Sequence, residues 1–380
     1  MITSPLGIYV HIPYCVRKCN YCDFCSRGIG CSPVKDEYID RLISEIRAYG
    51  KYGKMSVSTV YFGGGTPSLL SPKQLEKVAS ALDLTFDFEK NVEFTLEANP
   101  GTLDADKLSA FRSLGVNRLS LGVQSVNSNE LSSLGRIHTY DDFLDSYLTA
   151  RKCGYDNVSV DLMYGIPEMT PFSLRHTLDT VLGLSPEHVS LYGLIIEEGT
   201  PFFNMQDRLS LPSVDDECDM YYDSASLLAS HGYSHYEISN YARPGFESRH
   251  NLKYWRAENY IGFGASAASY FDGKRYVNTK NIDEYISSAG LNYEGEELLN
   301  DGERAYEYVM LRLRLREGFS LREYRERFGM DFLTERRELV KRLVASGLAE
   351  LSDDRFSLTE RGFYVSNSIL TEILWYYHLT

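Results

Sequence analysis

The residues best able to do chemistry are crowded near the start of the chain, in Tyr9-Val10-His11-Ile12-Pro13-Tyr14-Cys15-Val16-Arg17-Lys18-Cys19-Asn20-Tyr21-Cys22-Asp23-Phe24-Cys25. A short apolar run leads into three cysteines spaced C-x3-C-x2-C. Three thiolates this close can hold three irons of a cubane [4Fe–4S] cluster and leave the fourth iron open to another ligand. A structural zinc site is the rival. It normally takes a fourth ligand, often from a second cysteine pair, and no second C-x2-C follows, although Cys25 and Cys31 are available as recruits.

A second chemical element is Phe62-Gly63-Gly64-Gly65-Thr66-Pro67, placed between a strand-like run and a helical one. Three glycines allow backbone conformations closed to other residues and let a ligand approach the main chain. The loop lacks the Gly-Lys-Ser/Thr ending of a P-loop and the G-x-G-x-x-G of a dinucleotide site. Four polar residues, Glu97, Gln124, Arg136 and Asp161, then fall at strand ends or just beyond them. On a barrel such residues converge over one mouth.

Together these strings resemble a known family. C-x3-C-x2-C with an aromatic before the third cysteine is similar to the cluster motif of radical S-adenosylmethionine (radical SAM) proteins. The longer string Tyr9…His11-Ile12-Pro13…Cys15…Cys19-Asn20-Tyr21-Cys22-Asp23-Phe24 resembles the oxygen-independent coproporphyrinogen III oxidases, and within them the heme-chaperone branch. The resemblance implies a [4Fe–4S] cluster on Cys15, Cys19 and Cys22, with S-adenosyl-L-methionine (SAM) on the open iron. It implies that Gly64, Gly65 and Thr66 receive the amino group of SAM and that Tyr9 lies near its adenosine. Arg136 would meet the carboxylate of SAM, and Glu97, Gln124 and Asp161 its ribose and sulfonium.

His250-Asn251-Leu252-Lys253-Tyr254-Trp255 resembles a signature that the chaperone branch associates with heme. An imidazole can ligate heme iron and aromatic rings can pack on the macrocycle, so His250, Tyr254 and Trp255 are the heme candidates. The rival is a barrel-closing segment in which His250 bonds to its neighbours and the rings fill core. Two departures stand out: Ala268 occupies a place where the family usually has His, and Cys25 follows Cys22 by three residues, where the oxidases carry an extra cysteine two residues on. The implied function is a heme chaperone that passes heme to an acceptor, a membrane respiratory protein being one candidate, with a flavodoxin or ferredoxin as reductant. The alternative is a radical enzyme acting on a porphyrin or another planar substrate, as an oxidase or methyltransferase; the residues leave turnover itself open.

The elements that must position these groups are legible as alternation. Strand-like runs at Ile8–Ile12, Val57–Phe62, Val92–Leu96, Arg118–Val123, Asn157–Leu162 and His188–Leu191 alternate with helical patterns at Lys35–Tyr49, Pro72–Leu82, Asp106–Leu114, Phe143–Cys153 and Pro171–Leu182. Such alternation predicts parallel strands with crossover helices in an α/β fold. The resemblance makes that a partial (β/α)6 TIM-like barrel. Beyond Pro201 a helix at Cys218–Ser230 and short strands near Tyr236–Ser239 and Tyr276–Thr279 should complete the mouth. The barrel with its closing extension is expected over 1–290. A winged-helix-like domain is expected over 291–380, with helices at Glu303–Leu315, Ser320–Phe328, Phe332–Ser346 and Phe363–Leu374 around a hairpin, acting as a lid or docking element.

Composition narrows the partners. The chain has 380 residues and a formal charge of −14, and no basic wing follows the Arg336–Arg342 helix, which argues against nucleic acid. No apolar run approaches the roughly 20 residues that span a bilayer, and Met1-Ile2-Thr3-Ser4-Pro5 does not open like a signal peptide, so a cytoplasmic protein without a membrane span is expected. Seven cysteines, three of them crowded, fit reduced metal-binding use better than a disulfide framework.

Overall fold

A computed structural model describes residues 4–291 and 293–375; Met1–Thr3 of the opening segment lie outside the described residues. Its core is a run of six parallel strands in chain order: β1 (Leu6–Ile12), β2 (Ser56–Gly64), β3 (Asp87–Ala98), β4 (Arg118–Gln124), β5 (Val158–Tyr164) and β6 (His188–Gly193). Each expected strand and crossover helix is present. The helices begin where local chemistry satisfies their first N–H groups: Ser71 with Gln74, Thr139 with Asp142 and Thr170 with Ser173 form reciprocal caps, and Pro72 and Pro171 occupy first turns.

The sheet is wider than six strands. Tyr260–Phe263 pairs in parallel with β1, and Ala268–Phe271, Lys274–Asn278 and Tyr293–Leu298 continue antiparallel from it. Beyond β6 lie Asn240–Ala242 and Ser234–Glu237. The two outer edges do not pair with each other among the described residues, so the barrel is open. No described helix is long and apolar enough to cross a membrane.

The C-terminal region builds a second buried cluster around Tyr308, Phe319, Tyr324, Phe332 and Phe356. Helices Asp301–Arg312, Leu321–Phe328 and Phe332–Ala345 pack with a small antiparallel sheet of Phe319–Ser320, Arg355–Leu358 and Ala349–Leu351. Two expectations need correction. The last helix is not continuous: Val365 (φ −107°, ψ 20°) leaves the helical range and separates Glu360–Tyr364 from Ser366–Trp375. Gly362 presses so closely on the Leu348 carbonyl that no side chain would fit there, which fixes the first piece before the second turns onto the core.

Nor does this region lie over the mouth. It docks on the outer edge of the sheet, where the Ile238 N–H donates to the Arg314 carbonyl (2.9 Å), the Arg316 N–H to that of Tyr236 (3.0 Å), and His235 meets Glu360 (3.0 Å). Arg275 on the other flank pairs with Glu307. Backbone ladders at an edge strand are a better seat than a solvated cavity rim, because they leave fewer unpaired groups.

One buried carboxyl ties the mouth together. Glu45, 1 % exposed, accepts from the Gly264 N–H (3.1 Å), the Asn278 amide (2.7 Å) and the Tyr285 hydroxyl (2.6 Å). Glu45→Ala should strand three buried donors and cost about 3 kcal/mol, whereas Glu45→Gln should cost less. Thermal unfolding of both variants checks this; an Ala variant as stable as the parent would remove Glu45 from the role.

Candidate active site

Two cavities flank the cysteine loop. The first, about 290 Å³, is enclosed by the loop and the inward faces of β2 to β6. It gathers Cys15, Cys19, Cys22, Gly64, Gly65, Thr66, Glu97, Gln124, Arg136 and Asp161. The second, about 1150 Å³, is lined by Tyr9, His11, Cys25, Tyr254, Trp255, Tyr260, Ala268 and Lys280 among others. Lys18 and Phe24 line both. Thus the sequence candidates divide: ten share the first cavity, while Tyr9, Tyr254 and Trp255 face the second. His250 lines neither.

The loop is held against the barrel by backbone contacts. Tyr14–Cys15 pairs with Arg27–Gly28, and the Asn20 N–H donates to the Leu134 carbonyl (2.9 Å). The glycine run docks on the same segment: the Gly65 N–H donates to the Ile12 carbonyl (2.9 Å) and that of Thr66 to the Tyr14 carbonyl (2.8 Å). A Cβ on Gly65 would lie 2.7 Å from the Ile12 and Tyr14 carbonyl oxygens. Gly64 has φ +106°, and a Cβ there would strike the His11 ring at 2.4 Å. Both glycines are therefore required by packing as well as by any ligand.

Glu97 is half-buried, facing the first cavity. It accepts from the Tyr61 hydroxyl (2.8 Å) and the Gly64 N–H (3.2 Å), and burial pushes its carboxyl up to about 7 despite those bonds. Asp161 accepts from the hydroxyls of Ser120 (2.8 Å), Ser159 (3.1 Å) and Ser190 (2.8 Å); burial raises its pKa as well. Arg136 donates to Asn99 (2.8 Å), to the Gly122 carbonyl and to Cys19 Sγ (3.5 Å), and its buried Nε has no partner. Gln124 sits at φ +74°, a backbone conformation rare outside glycine and common at ligand sites.

Tyr9 donates to His11 Nδ1 (2.9 Å), and His11 Nε2 donates to the Cys25 carbonyl (2.8 Å). His250 is fully buried, its ring nitrogens bonded to Thr59 (2.8 Å) and Tyr254 (2.8 Å), and burial lowers its pKa to about 3. This is the core-type environment weighed against iron ligation. Both nitrogens are committed, so the ring acts on its surroundings through Tyr254.

Sequence reasoning missed the remaining polar walls: Tyr61, Asn99, Arg118, Ser120, His188, Ser190 and Tyr192 also line the first cavity. The signal was present as alternation. Arg118, Ser120, Gly122 and Gln124, and likewise His188, Ser190 and Tyr192, fall on every second residue of otherwise apolar strands, which puts them on one face.

The donor set suits the implied groups. Three cysteines on one loop offer the thiolates of a cluster, and the orphaned Arg136 Nε beside them marks an anion position suited to a carboxylate. Among the described residues no three or more His, Cys, Asp or Glu side chains surround a single metal-ion position.

An open parallel barrel with a cysteine loop across the C-terminal ends of its strands is the architecture of radical SAM proteins, and residues 9–181 match that superfamily, while residues 299–365 match the HemN C-terminal domain. The heme chaperone HemW of Lactococcus lactis is 37 % identical over 98 % of both chains. HemW of Bacillus subtilis is 38 % identical, covering 96 % of this chain and 98 % of that one. The radical SAM coproporphyrinogen III oxidase HemN of Escherichia coli has the same fold, with a TM-score of 0.85, 24 % identity, and coverage of 98 % of this chain and 90 % of that one. The chain belongs to the HemW/HemN family of the radical SAM superfamily.

The Glu97 environment gives a sign-definite test. Its carboxyl rises from 4.5 to about 7 on folding, so it favours the folded state at low pH and costs stability as pH rises from about 4.5 through 7. Glu97→Gln should therefore stabilise the ligand-free protein at pH ~8 by roughly 1–3 kcal/mol. Denaturant unfolding at pH ~5 and ~8 checks it; equal effects at both would exclude the buried charge as the cause.

Proposed function

We propose that this protein is a heme chaperone: it carries a [4Fe–4S] cluster and SAM in the first cavity, holds heme in the second, and delivers heme to an acceptor protein. The observation that carries the reading is the division of the mouth by the cysteine loop into a small cavity that holds the three cysteines and a wide, more open one that holds Tyr9, Tyr254 and Trp255. A volume of about 290 Å³ is too small for a tetrapyrrole. One of about 1150 Å³ exceeds the roughly 300–1,000 Å³ of ordinary small-molecule sites, as a large planar ligand requires. The similarity over nearly full length to proteins named heme chaperones supports the same reading.

In this proposal Cys15, Cys19 and Cys22 hold the cluster. Gly64, Gly65 and Thr66 offer main-chain and hydroxyl groups to the amino group of SAM, Arg136 takes its carboxylate, and Glu97, Gln124 and Asp161 face its ribose and sulfonium. When bound, the cluster and SAM supply one-electron chemistry and a 5′-deoxyadenosyl radical. The protein's part is to bind, orient and exclude water, which the closed walls favour. Tyr9, Tyr254 and Trp255 offer apolar faces to the macrocycle, and His250 keeps Tyr254 in place. Lys18 and Lys280 stand on the same wall as cations for propionates. The acceptor, for which a membrane respiratory protein is one candidate, would be met transiently, and a flavodoxin or ferredoxin would supply electrons.

One incubation separates chaperone from enzyme. Anaerobically reconstituted protein is mixed with heme, SAM and reductant, and products and bound tetrapyrrole are analysed. Retention of unaltered heme, reduced several-fold in Trp255→Ala, is expected. Stoichiometric conversion of the tetrapyrrole with SAM cleavage would replace the chaperone with a radical enzyme acting on a planar substrate.

A further inference from the structure

Trp255 ends the Arg249–Trp255 helix and lines the second cavity beside Tyr254. The two neighbours are held in different ways. Tyr254 is fixed from within the barrel: its hydroxyl bonds to His250 (2.8 Å), and its ring meets Tyr260 edge to face at 4.6 Å. Trp255 lacks that polar handle, since its Nε1 is buried without a hydrogen bond of normal length and angle. The charged contact on its ring comes from the C-terminal region instead. The Arg314 guanidinium lies 5.5 Å from the indole centre. Arg314 does not itself line the cavity, so it meets the ring from behind.

The backbone that carries Arg314 is pinned to the edge of the sheet. Its carbonyl accepts from the Ile238 N–H (2.9 Å), Leu315 bridges to Glu237, and the Arg316 N–H reaches the Tyr236 carbonyl (3.0 Å). Just past the indole, Arg256 pairs with Glu317 (3.3 Å). The C-terminal region leaves the mouth uncovered, yet it backs this wall of the second cavity. Glu237 at the junction is fully buried, so water is largely excluded there. A cation over an indole is attracted by the ring's π electrons, most strongly where it is desolvated. The planar guanidinium also stacks on the ring, which an ammonium group cannot do.

Plain cement between the two regions is the rival reading. The main-chain ladder of Tyr236, Ile238, Arg314 and Arg316 already supplies that, whatever side chain stands at position 314. The side chain of Arg314 makes its contact on the indole that faces the cavity.

We propose that Arg314 is a positioning residue for the second cavity: stacked on Trp255 from behind, its guanidinium holds the indole as a flat wall for a planar macrocycle. This rests on the reading that heme occupies that cavity.

The test reads the indole first and heme second. Trp375, the chain's other tryptophan, is replaced by Phe so that emission reports Trp255 alone. In ligand-free protein, Arg314→Met should enlarge the fast phase of the fluorescence anisotropy decay, and Arg314→Lys should restore part of the loss. Heme titrations followed by absorption should show affinity falling about threefold to tenfold in Arg314→Met, and less in Arg314→Lys. Arg316→Met is the control: its side chain donates to the Leu358 carbonyl (3.2 Å) on the same ladder, and both readings should keep their parent values. An unmoved anisotropy, an unmoved heme affinity, or an equal loss in Arg316→Met overturns the proposal. Should Arg314→Met not fold, Arg314→Gln takes the same readings with the same consequences. A freed indole in a protein whose parent does not bind heme would instead sink the heme reading and leave the hold of Arg314 on Trp255 standing.

Discussion

Polar side chains on the inward faces of six parallel strands have little water to bond with, so they must satisfy one another, and this constraint shapes the whole site. Tyr61 and the Gly64 N–H serve Glu97, three serines serve Asp161, and His188 lies between Ser159 (2.8 Å) and Tyr236 (2.8 Å). His250 is held in the same way by Thr59 and Tyr254. Linked hydrogen bonds of this kind are rigid, because moving one member unpairs the next. The side-chain positions are then set before any ligand arrives, which is the form of preorganisation that lowers the cost of binding.

The cysteine loop inherits that rigidity through the glycines. Gly63 and Gly65 leave no room for a Cβ without contact at 3.1 Å or less with Glu97 and Tyr9, or with the backbone of Ile12 and Tyr14. The end of β2 therefore lies directly on the exit of β1, and the loop that starts at Tyr14 has a fixed origin. Its far side is held by the Asn20 contact to Leu134 and by the Phe202 N–H, which donates to the Asn20 carbonyl (3.0 Å). Cysteines anchored at both ends of their loop have their spacing set by contacts with the barrel.

The parallel core was legible because each β–α unit has its own punctuation: caps, first-turn prolines and apolar runs that finish near polar residues. The outer strands were legible only in part: the expected pieces near Tyr236–Ser239 and Tyr276–Thr279 are strands at Ser234–Glu237 and Lys274–Asn278, but others left no signal. Asn240–Ala242 and Ala268–Phe271 are short and carry no long alternating pattern, and they are strands because a neighbour's edge offers hydrogen bonds. Glu97, Gln124 and Asp161 could be listed from strand ends, since parallel strands expose their C-terminal ends on one side, while the cysteines and the glycine run carried their own motifs. Tyr9 escaped that logic: it sits on β1, yet its hydroxyl turns to His11 and its ring faces the second cavity. His250 escaped it as well, because burial of a histidine depends on whether its neighbours can occupy both ring nitrogens. Thr59, 191 positions earlier in the chain, supplies one of those partners, and no local pattern records such a pairing.

The second cavity shares Lys18 with the first and sets Asp23 and Asp283 among its cations. Its wall carries Lys18, Arg27 and Lys280 among aromatic rings, and Arg27 is already paired with Asp283 through two bonds of 2.8 Å. That pair is exposed, so its net worth is small, and it orders the segment after Cys25 more than it stabilises the fold. Lys18 donates to the Phe24 carbonyl (2.9 Å), which closes the cysteine loop on itself and sets both residues between the two spaces. A small chamber and a wide one thus share a single partition, and that partition is the segment that carries the cysteines.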